Sequence, residues 1–214
     1  MWKAITCATL LALASCAASS TTVDPQPDAN ALIIRRVYYS HGPLEGEWTE
    51  KALPDGTFVK HGRSVYWYMD GTKCSEGDYV DGNEHGPWQY WWNDGLLRQK
   101  GRYEMGIVHR RGEWLSWDDR GYLYTTSYYF NDDDYVFREW WPSGAKREQY
   151  QCVNGKKDGT IRTWFANGQK EFVTQMLDGK AHGDSYAWDE AGNIVAHRVF
   201  ADGELVKEDN EPPK

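Results

Sequence analysis

The chain has 214 residues, of which 15% are aromatic, and a formal net charge of −8. Disordered chains are poor in aromatic residues, and nucleic-acid binding requires clustered lysine and arginine side chains, so we expect a folded protein that does not bind nucleic acid. No apolar run reaches the roughly 18–20 residues that a membrane-spanning helix needs.

The first 15 residues have the layout of a secretory signal peptide. One cation, Lys3, precedes an apolar stretch over residues 4–14, and Cys16 follows. A basic start, a short apolar middle and small residues before the cleavage site are typical of such signals. Residues 13–16, Leu-Ala-Ser-Cys, also resemble a bacterial lipobox, which implies that Cys16 is acylated. An ordinary secretory signal with an incidental cysteine is the alternative.

The lipobox resemblance implies an exported protein that is lipid-anchored to the cell envelope. Ala17, rather than aspartate, follows the cysteine. By resemblance to Gram-negative lipoproteins, this favours the outer membrane, facing the periplasm. Residues 16–33 are predicted to be a flexible tether, because Ala, Ser, Thr, Pro and Asp predominate there without periodicity. Residues 34–206 are predicted to form the folded domain, and residues 207–214 a polar tail.

One short pattern recurs through the predicted folded domain. Each unit has an opening position, which is glycine in all units but one, a turn glycine nine residues later, and a second turn at its end. The opening positions, 23 to 26 residues apart, are Gly62, Gly86, Gly112, Tyr135, Gly159 and Gly183. A period of about 24 residues with β-prone segments between glycines predicts an all-β array of about six to seven stacked hairpins.

The stretch from His85 to Gly106 shows how one unit is read. Aromatic residues fill its first half, and Asp94-Gly95 supplies a turn between two extended segments. Asp-Gly between such segments favours a tight primed turn, in which both central residues have positive φ. The units around Tyr135 and Asp132 lack the usual glycines, so a bulge or a loop is expected at that junction.

A tryptophan stands five residues after every opening position. Equivalent residues of stacked hairpins lie over one another, so this row predicts a structural ladder of aligned indole rings. The six ladder residues are Trp67, Trp91, Trp117, Trp140, Trp164 and Trp188.

The opposite side of the sheet carries a second set of aromatic residues. Alternate residues of a strand face opposite sides, so these residues point away from the ladder. Exposed aromatic patches mark partner or carbohydrate surfaces, whereas the alternative is that they only cover the second side of a thin sheet. The candidate binding face consists of Tyr66, Tyr68, Trp88, Tyr90, Trp92, Trp114 and Trp141.

The histidines do not form a metal motif. His41, His61, His85 and His182 each precede a glycine. Equivalent residues of adjacent hairpins are two strands apart, roughly 9.5 Å, whereas zinc requires ligand nitrogens at about 2.0–2.1 Å. We therefore interpret them as turn residues and expect no metal site.

No other motif predicts chemistry. The acidic run 131–134 lacks the ligand spacing of a calcium loop, and Cys74 and Cys152 fall in hairpins too distant for a disulfide. We find no phosphate-binding loop, nucleophile elbow or paired-cysteine motif, so we expect no enzymatic activity, no cofactor and no catalytic residue.

The pattern Tyr-x-x-Gly-x-x-x-Gly-x-Trp, from Tyr79 to Trp88, resembles the MORN-variant repeat of bacterial proteins, often described as YwqK-type antitoxins. This resemblance implies hairpins side by side in one sheet and a binding or scaffold role without a shared catalytic centre. We expect a lipid-anchored, non-enzymatic protein that presents its sheet to a protein partner in the envelope. The alternatives are an immunity protein that neutralises a cognate toxin, and an aromatic-rich binder of cell-wall carbohydrate.

Overall fold

The computed structural model describes residues 31–104 and 109–209. The predicted signal peptide, Cys16 and most of the predicted tether lie outside these residues. Within them, all regular secondary structure is β-strand, with bounds β1 (Leu32–Tyr38), β2 (Leu44–Ala52), β3 (Phe58–Trp67), β4 (Lys73–Val80), β5 (Asn83–Trp91), β6 (Leu97–Glu104), β7 (His109–Trp117), β8 (Leu123–Tyr129), β9 (Tyr135–Trp140), β10 (Lys146–Val153), β11 (Lys156–Trp164), β12 (Lys170–Leu177), β13 (Lys180–Trp188), β14 (Ile194–Ala201) and β15 (Glu204–Asp209).

The fifteen described strands form one open sheet in sequence order, β1 to β15. Every neighbouring pair is antiparallel, so the chain runs as successive hairpins. The all-β, hairpin-array part of the prediction is confirmed. Strand β1 begins at Leu32 and β15 ends at Asp209, so strand structure extends two residues before the predicted domain limit of 34 and three residues past 206.

The hairpins alternate between two kinds of turn, and the primed turn is not where the sequence predicted it. At Asp94-Gly95 only the glycine has positive φ, and Gly95 donates its N–H to the Trp92 carbonyl (3.0 Å). The Asp94 carboxylate caps this wider turn by accepting the Leu96 N–H (2.9 Å).

True two-residue primed turns close the opposite ends of the hairpins. At Asp81-Gly82 both residues have positive φ, 52° and 85°, as do the equivalent pairs Asn154-Gly155, Asp178-Gly179 and Asp202-Gly203. The prediction of a two-residue primed turn at Asp94-Gly95 was wrong. The Asp94 side chain caps the loop and the loop is one residue longer, so only Gly95 needs a positive φ.

The expected irregular junction is a loop. Strand β8 ends at Tyr129 and β9 begins at Tyr135, so five residues replace the two-residue turn. Asn131 accepts the backbone N–H groups of Asp133 and Asp134, and Asp134 in turn accepts the Asn154 N–H (2.7 Å). The acidic residues of this loop therefore cap backbone groups and dock the loop on the next hairpin turn.

The two faces of the sheet differ in burial. We call the face of Trp88, Tyr103 and Trp114 the core face, because these side chains form the buried cluster. The opposite side, which carries the six predicted ladder tryptophans, is the ladder face. Bulges opposite these tryptophans lie on the partner strands, as at Trp91 opposite Leu97, so residues 88–91 alternate regularly between the two faces.

The six ladder tryptophans are half-buried and lie one per hairpin, as their equivalent positions predict. However, the intervening strand places another side chain between neighbouring indoles. Lys73 is paired in register with Trp67, and its ammonium lies 5.0 Å from the Trp91 ring centre. Lys170 is related in the same way to Trp164 and Trp188. In these hairpins the row is therefore an alternation of indoles and ammonium groups.

Candidate functional site

The predicted binding face coincides with the core face, and two of its members are inaccessible. Trp88 and Trp114 are each 2% exposed. Their indole N–H groups donate to the backbone carbonyls of Asp78 (3.2 Å) and Arg102 (3.3 Å). These two indoles stabilise the sheet and cannot contact a partner directly. Tyr66, Tyr68, Tyr90, Trp92 and Trp141 are half-buried.

Three of the half-buried members connect neighbouring hairpins. The Tyr68 hydroxyl donates to the carbonyl of Trp91 (2.7 Å), and the Trp141 indole N–H donates to the carbonyl of Trp164 (2.9 Å). Trp92 donates in the same way to Trp117 (3.2 Å). Each of these three aromatic residues lies at the start of a wide turn and hydrogen-bonds to the backbone of a ladder tryptophan in the next hairpin.

Tyr66 contributes to an aromatic enclosure around Lys60. The Lys60 ammonium lies 4.7 Å, 5.1 Å and 5.0 Å from the ring centres of Trp48, Tyr66 and Tyr79. Its Nζ also donates to the Tyr66 hydroxyl (2.5 Å). Three rings around one ammonium offset the cost of partly removing its charge from water.

A row of alternating charge follows Lys60 across the core face. Glu84 and Arg110 occupy the equivalent positions of the next two hairpins. Burial raises the pKa of the Glu84 carboxyl, and a hydrogen bond from Tyr103 and the charges of Lys60 and Arg110 oppose that rise. The Arg110 guanidinium lies 4.8 Å from the Trp114 ring centre and donates to the Tyr129 hydroxyl (3.0 Å).

The aromatic row continues from Arg110 into a cleft of about 340 Å³ on the core face. We call it the tyrosine cleft. Residues from β6 to β10 line it, among them Arg110, Trp114, Tyr124, Tyr129, Tyr135 and Tyr150.

The cleft exists because small side chains lie beside large rings on this part of the core face. Ser116 stands at the position that Tyr66 and Tyr90 occupy in earlier hairpins, and Ser127 faces Trp114 in register. The missing tyrosine volume at Ser116 leaves space beside Tyr129 and Phe137. The bulge in β8 turns Tyr124 toward the same space.

Two tyrosine hydroxyls in this cleft, those of Tyr135 and Tyr150, are neutral hydrogen-bonding groups. The pKa of Tyr135 is raised, first by its hydrogen bond with the Cys152 thiol and then by burial. Burial likewise raises the pKa of Tyr150, whose ring lies 4.8 Å from that of Phe137. In the described lining of this cleft there is no histidine and no carboxylate.

A second cleft, of about 410 Å³, lies on the ladder face of the same hairpins. Its most exposed members are Tyr128 (47%) and Phe130 (54%), whose ring centres are 5.1 Å apart. Arg102 and the Arg111–Glu104 ion pair (2.7 Å) complete the wall. Tyr129 lines both clefts, so the irregular unit presents aromatic surface on its two faces.

The sequence did not single out Tyr124, Tyr129, Tyr135 and Tyr150 as binding residues. The available signal was the departure from the repeat at Tyr135, together with the three consecutive aromatic residues 128–130. The departure from the repeat predicted an irregular junction. It did not predict the cleft, because the cleft depends on which small side chains lie near the tyrosine rings in the folded sheet. Only the register of β6 to β10 supplies that information.

The interpretation of four histidines as turn residues was wrong for three of them, because only His41 lies in a turn, whereas His61, His85 and His182 lie within β3, β5 and β13.

Three histidines contact carboxylates of neighbouring strands or loops. His61 Nδ1 lies 3.1 Å from an oxygen of Asp81, and His109 contacts Asp132 of the five-residue loop. His197 Nε2 lies 2.8 Å from Asp184. In the described ranges, no three His, Cys, Asp or Glu side chains are grouped so that they could hold a metal ion. Cys74 on β4 and Cys152 on β10 are both buried and lie six strands apart, about 29 Å.

The chain matches no protein-family model, and no curated protein matches it. Within residues 31–104 and 109–209, no helix is long and apolar enough to cross a membrane.

Proposed function

We propose that the protein is a non-enzymatic, lipid-anchored repeat protein that presents its β-sheet to a protein partner in the cell envelope. The observation that supports this proposal is the tyrosine cleft, in which tyrosine and arginine side chains converge on one concave site. Both residue types are among those most enriched at the energetic centres of protein interfaces.

The chemistry of the cleft fits a protein side chain rather than a reacting substrate. Hydroxyl groups of Tyr135 and Tyr150 offer uncharged hydrogen bonds, and the ring of Phe137 offers apolar contact. A cleft of about 340 Å³ accepts one large side chain of a partner, which would act as the anchor of a larger interface. The surrounding half-buried residues, among them Tyr90 and Trp92, would form the rim.

The anchor part of the proposal rests on the lipobox resemblance at Cys16. Because β1 begins at Leu32, the tether has at most the 16 residues 16–31, which fully extended would reach at most about 58 Å and keep the sheet close to the membrane. Replacing Cys16 by serine should release the protein from the membrane fraction into a soluble envelope fraction. Retention of the Cys16→Ser protein in the membrane would contradict the anchor.

Site-specific photo-crosslinking tests the binding role. A benzophenone amino acid replaces Tyr124, which lines the cleft, in the full-length protein expressed in its own cells. A matched control carries the same amino acid at Lys180, an exposed position at the start of β13. We expect a discrete protein adduct from position 124 only. Equal adducts from both positions, or none from position 124, would contradict a protein partner at the tyrosine cleft.

A further inference from the structure

The ladder face of β9 to β12 carries an accumulation of positive charge. Its cations are Arg138 on β9, Lys146 on β10, Arg162 on β11 and Lys170 on β12. The alternation of the strands fixes their side: Phe137 and Ile161 belong to the core face, so Arg138 and Arg162 point the other way. The ammonium groups of Lys146 and Lys170 lie over the ladder indoles of Trp164 and Trp188. We call these four cations and three tryptophans, Trp140, Trp164 and Trp188, the cationic stripe.

The charges of the stripe are not neutralised by the protein. On the core face of the same strands, Arg147 is paired with Glu139 (2.9 Å) and Lys157 with Glu148 (3.1 Å). Over the described ranges, no salt bridge involves any of the four stripe cations. A cluster of uncompensated cations on a chain with a net charge of −8 creates a local potential opposite to that of the whole molecule.

Carboxylates on the same face lie toward the two-residue turns and are already engaged. Asp158 accepts the backbone N–H of Asp178 (3.2 Å). Asp184 pairs with His197 (2.8 Å), whose ring stacks on Tyr186 at 4.6 Å. Between the stripe cations the in-register neighbours are Gln149 and Val173, which are uncharged.

The stripe has a regular geometry across the sheet. Each of four successive strands supplies one cation, and adjacent strands are about 4.7–4.9 Å apart. The arginines lie two residues from the ladder row and the lysines lie within it, so the charges follow a zigzag line perpendicular to the strands. This arrangement matches a linear polyanion better than a single phosphate or carboxylate.

The three indole rings beside the cations indicate which class of polyanion fits the cationic stripe. Trp140, Trp164 and Trp188 are half-buried beside the cations, and the parts of their rings that Lys146 and Lys170 leave uncovered offer apolar surface. A sugar ring carries an apolar C–H face that packs on an indole, while its carboxylate or sulfate groups accept hydrogen bonds from arginine and lysine. A nucleic acid is disfavoured by the net charge of −8 of the chain as a whole.

We infer that the cationic stripe binds a linear acidic polysaccharide. The inference rests on the proposed envelope location for access to such a polymer, and it concerns a surface separate from the tyrosine cleft. The polymer would run along the line of cations, with its anionic groups on Arg138, Lys146, Arg162 and Lys170 and its sugar rings beside the ladder indoles.

Calorimetric titration of the purified protein with polygalacturonate fragments tests the inference. The wild-type protein should bind the fragments and should not bind neutral dextran of equal length. Neutralising the two exposed lysines, Lys146→Gln with Lys170→Gln, should lower the affinity about tenfold and reduce its dependence on salt concentration. The matched control, Lys156→Gln with Lys180→Gln, removes the same charge from the two-residue turns of the same hairpins and should change the affinity less than about twofold.

Each outcome decides the inference. Absence of polygalacturonate binding by the wild type, or an equal loss in both double variants, would overturn it. Binding to phosphatidylglycerol vesicles without binding to polygalacturonate would also overturn it and assign the stripe to a membrane surface. Urea unfolding of both variants separates loss of binding from loss of folding. The crosslink from position 124 tests the tyrosine cleft alone, and the polygalacturonate titration tests the cationic stripe alone. A negative result in either experiment therefore does not affect the interpretation of the other.

Discussion

The indole of Trp88 on β5 lies directly over the backbone of Gly77 on β4, so closely that a β-carbon at Gly77 would come within 2.3 Å of the ring. Gly101 and Trp114 repeat this relationship one hairpin later, at 2.1 Å. Neither glycine has positive φ, so their role is to make room for an indole and not to permit an unusual backbone conformation. In both pairs, a buried tryptophan ring packs against the neighbouring strand at a glycine, where no side chain occupies the space.

Gly77→Ala should destabilise the protein by about 1–3 kcal/mol, because the new methyl group overlaps the Trp88 indole and forces it to move. Denaturation in urea measures the loss. A double-mutant cycle with Trp88→Leu gives the control, since the smaller side chain leaves room for the methyl group. If Gly77→Ala costs the same free energy in both backgrounds, the steric explanation is wrong.

Trp88→Ala should cost about 3–5 kcal/mol of unfolding free energy, because the side chain is 2% exposed and its loss leaves a cavity. Trp91→Ala should cost less than half as much, because the ladder indole is half-buried and its outer side contacts Lys73. Urea unfolding of the two variants under identical conditions compares them. A larger loss for Trp91 would mean that the ladder row, and not the core face, carries the stability.

Tyr68→Phe should lower stability by about 0.5–1.5 kcal/mol, because it removes the hydroxyl that donates to the Trp91 carbonyl (2.7 Å). The matched control is Tyr122→Phe, which removes a hydroxyl from a side chain that is 52% exposed and should change stability by less than about 0.5 kcal/mol. Thermal or urea unfolding provides the measurement. Equal effects in the two variants would argue against a role for the contact between hairpins.

The Glu84 carboxyl should make the protein less stable as pH rises. Burial is the main cause of its raised pKa, so the folded state binds this proton more tightly than the unfolded chain, whose carboxyl has the ordinary value of 4.5. The contribution is favourable below that value and is lost as pH increases through the folded pKa.

Glu84→Gln should therefore show a smaller decline in unfolding free energy than the wild type between about pH 4 and pH 7. Urea titrations at a series of pH values measure the difference. Glu190→Gln in an exposed turn controls for the loss of one negative charge. Parallel pH profiles for wild type and Glu84→Gln would show that the carboxyl is not desolvated in the folded protein.

The repeat pattern of the sequence contained enough information to predict an all-β chain of successive hairpins. Turn glycines such as Gly95 and Gly179 mark the ends of strands because few other residues adopt positive φ at low cost. Alternation along each strand separated the side of Trp91 from the side of Trp88, and the structure has these residues on opposite faces. The loop before Tyr135 was also predictable, because two turn glycines are missing there.

The burial of each face could not be read from the sequence. Both faces are rich in aromatic residues, and a strand pattern does not distinguish a covered ring from an exposed one. Trp88 is buried because its neighbours in register are Gly101 and, across β4, Gly77, which allow it to lie flat, whereas Trp91 stands beside Lys73 and Leu97. The tyrosine cleft depends in the same way on register, because Ser127 lies opposite Trp114 and Ser116 lies between Gln99 and Thr125.

The sequence alone determined the class of fold and the alternation of its faces, because turn conformation and strand alternation are local properties of the chain. Only the tertiary structure decided which aromatic residues form the core, where the tyrosine cleft opens, and which cations remain without a carboxylate partner. Those properties arise between groups that are 10 to 26 residues apart, such as the Trp88 indole and the Asp78 carbonyl or the Trp92 indole and the Asp118 carbonyl. Strand register brings them together, and a shift of a single residue would exchange every contact for another.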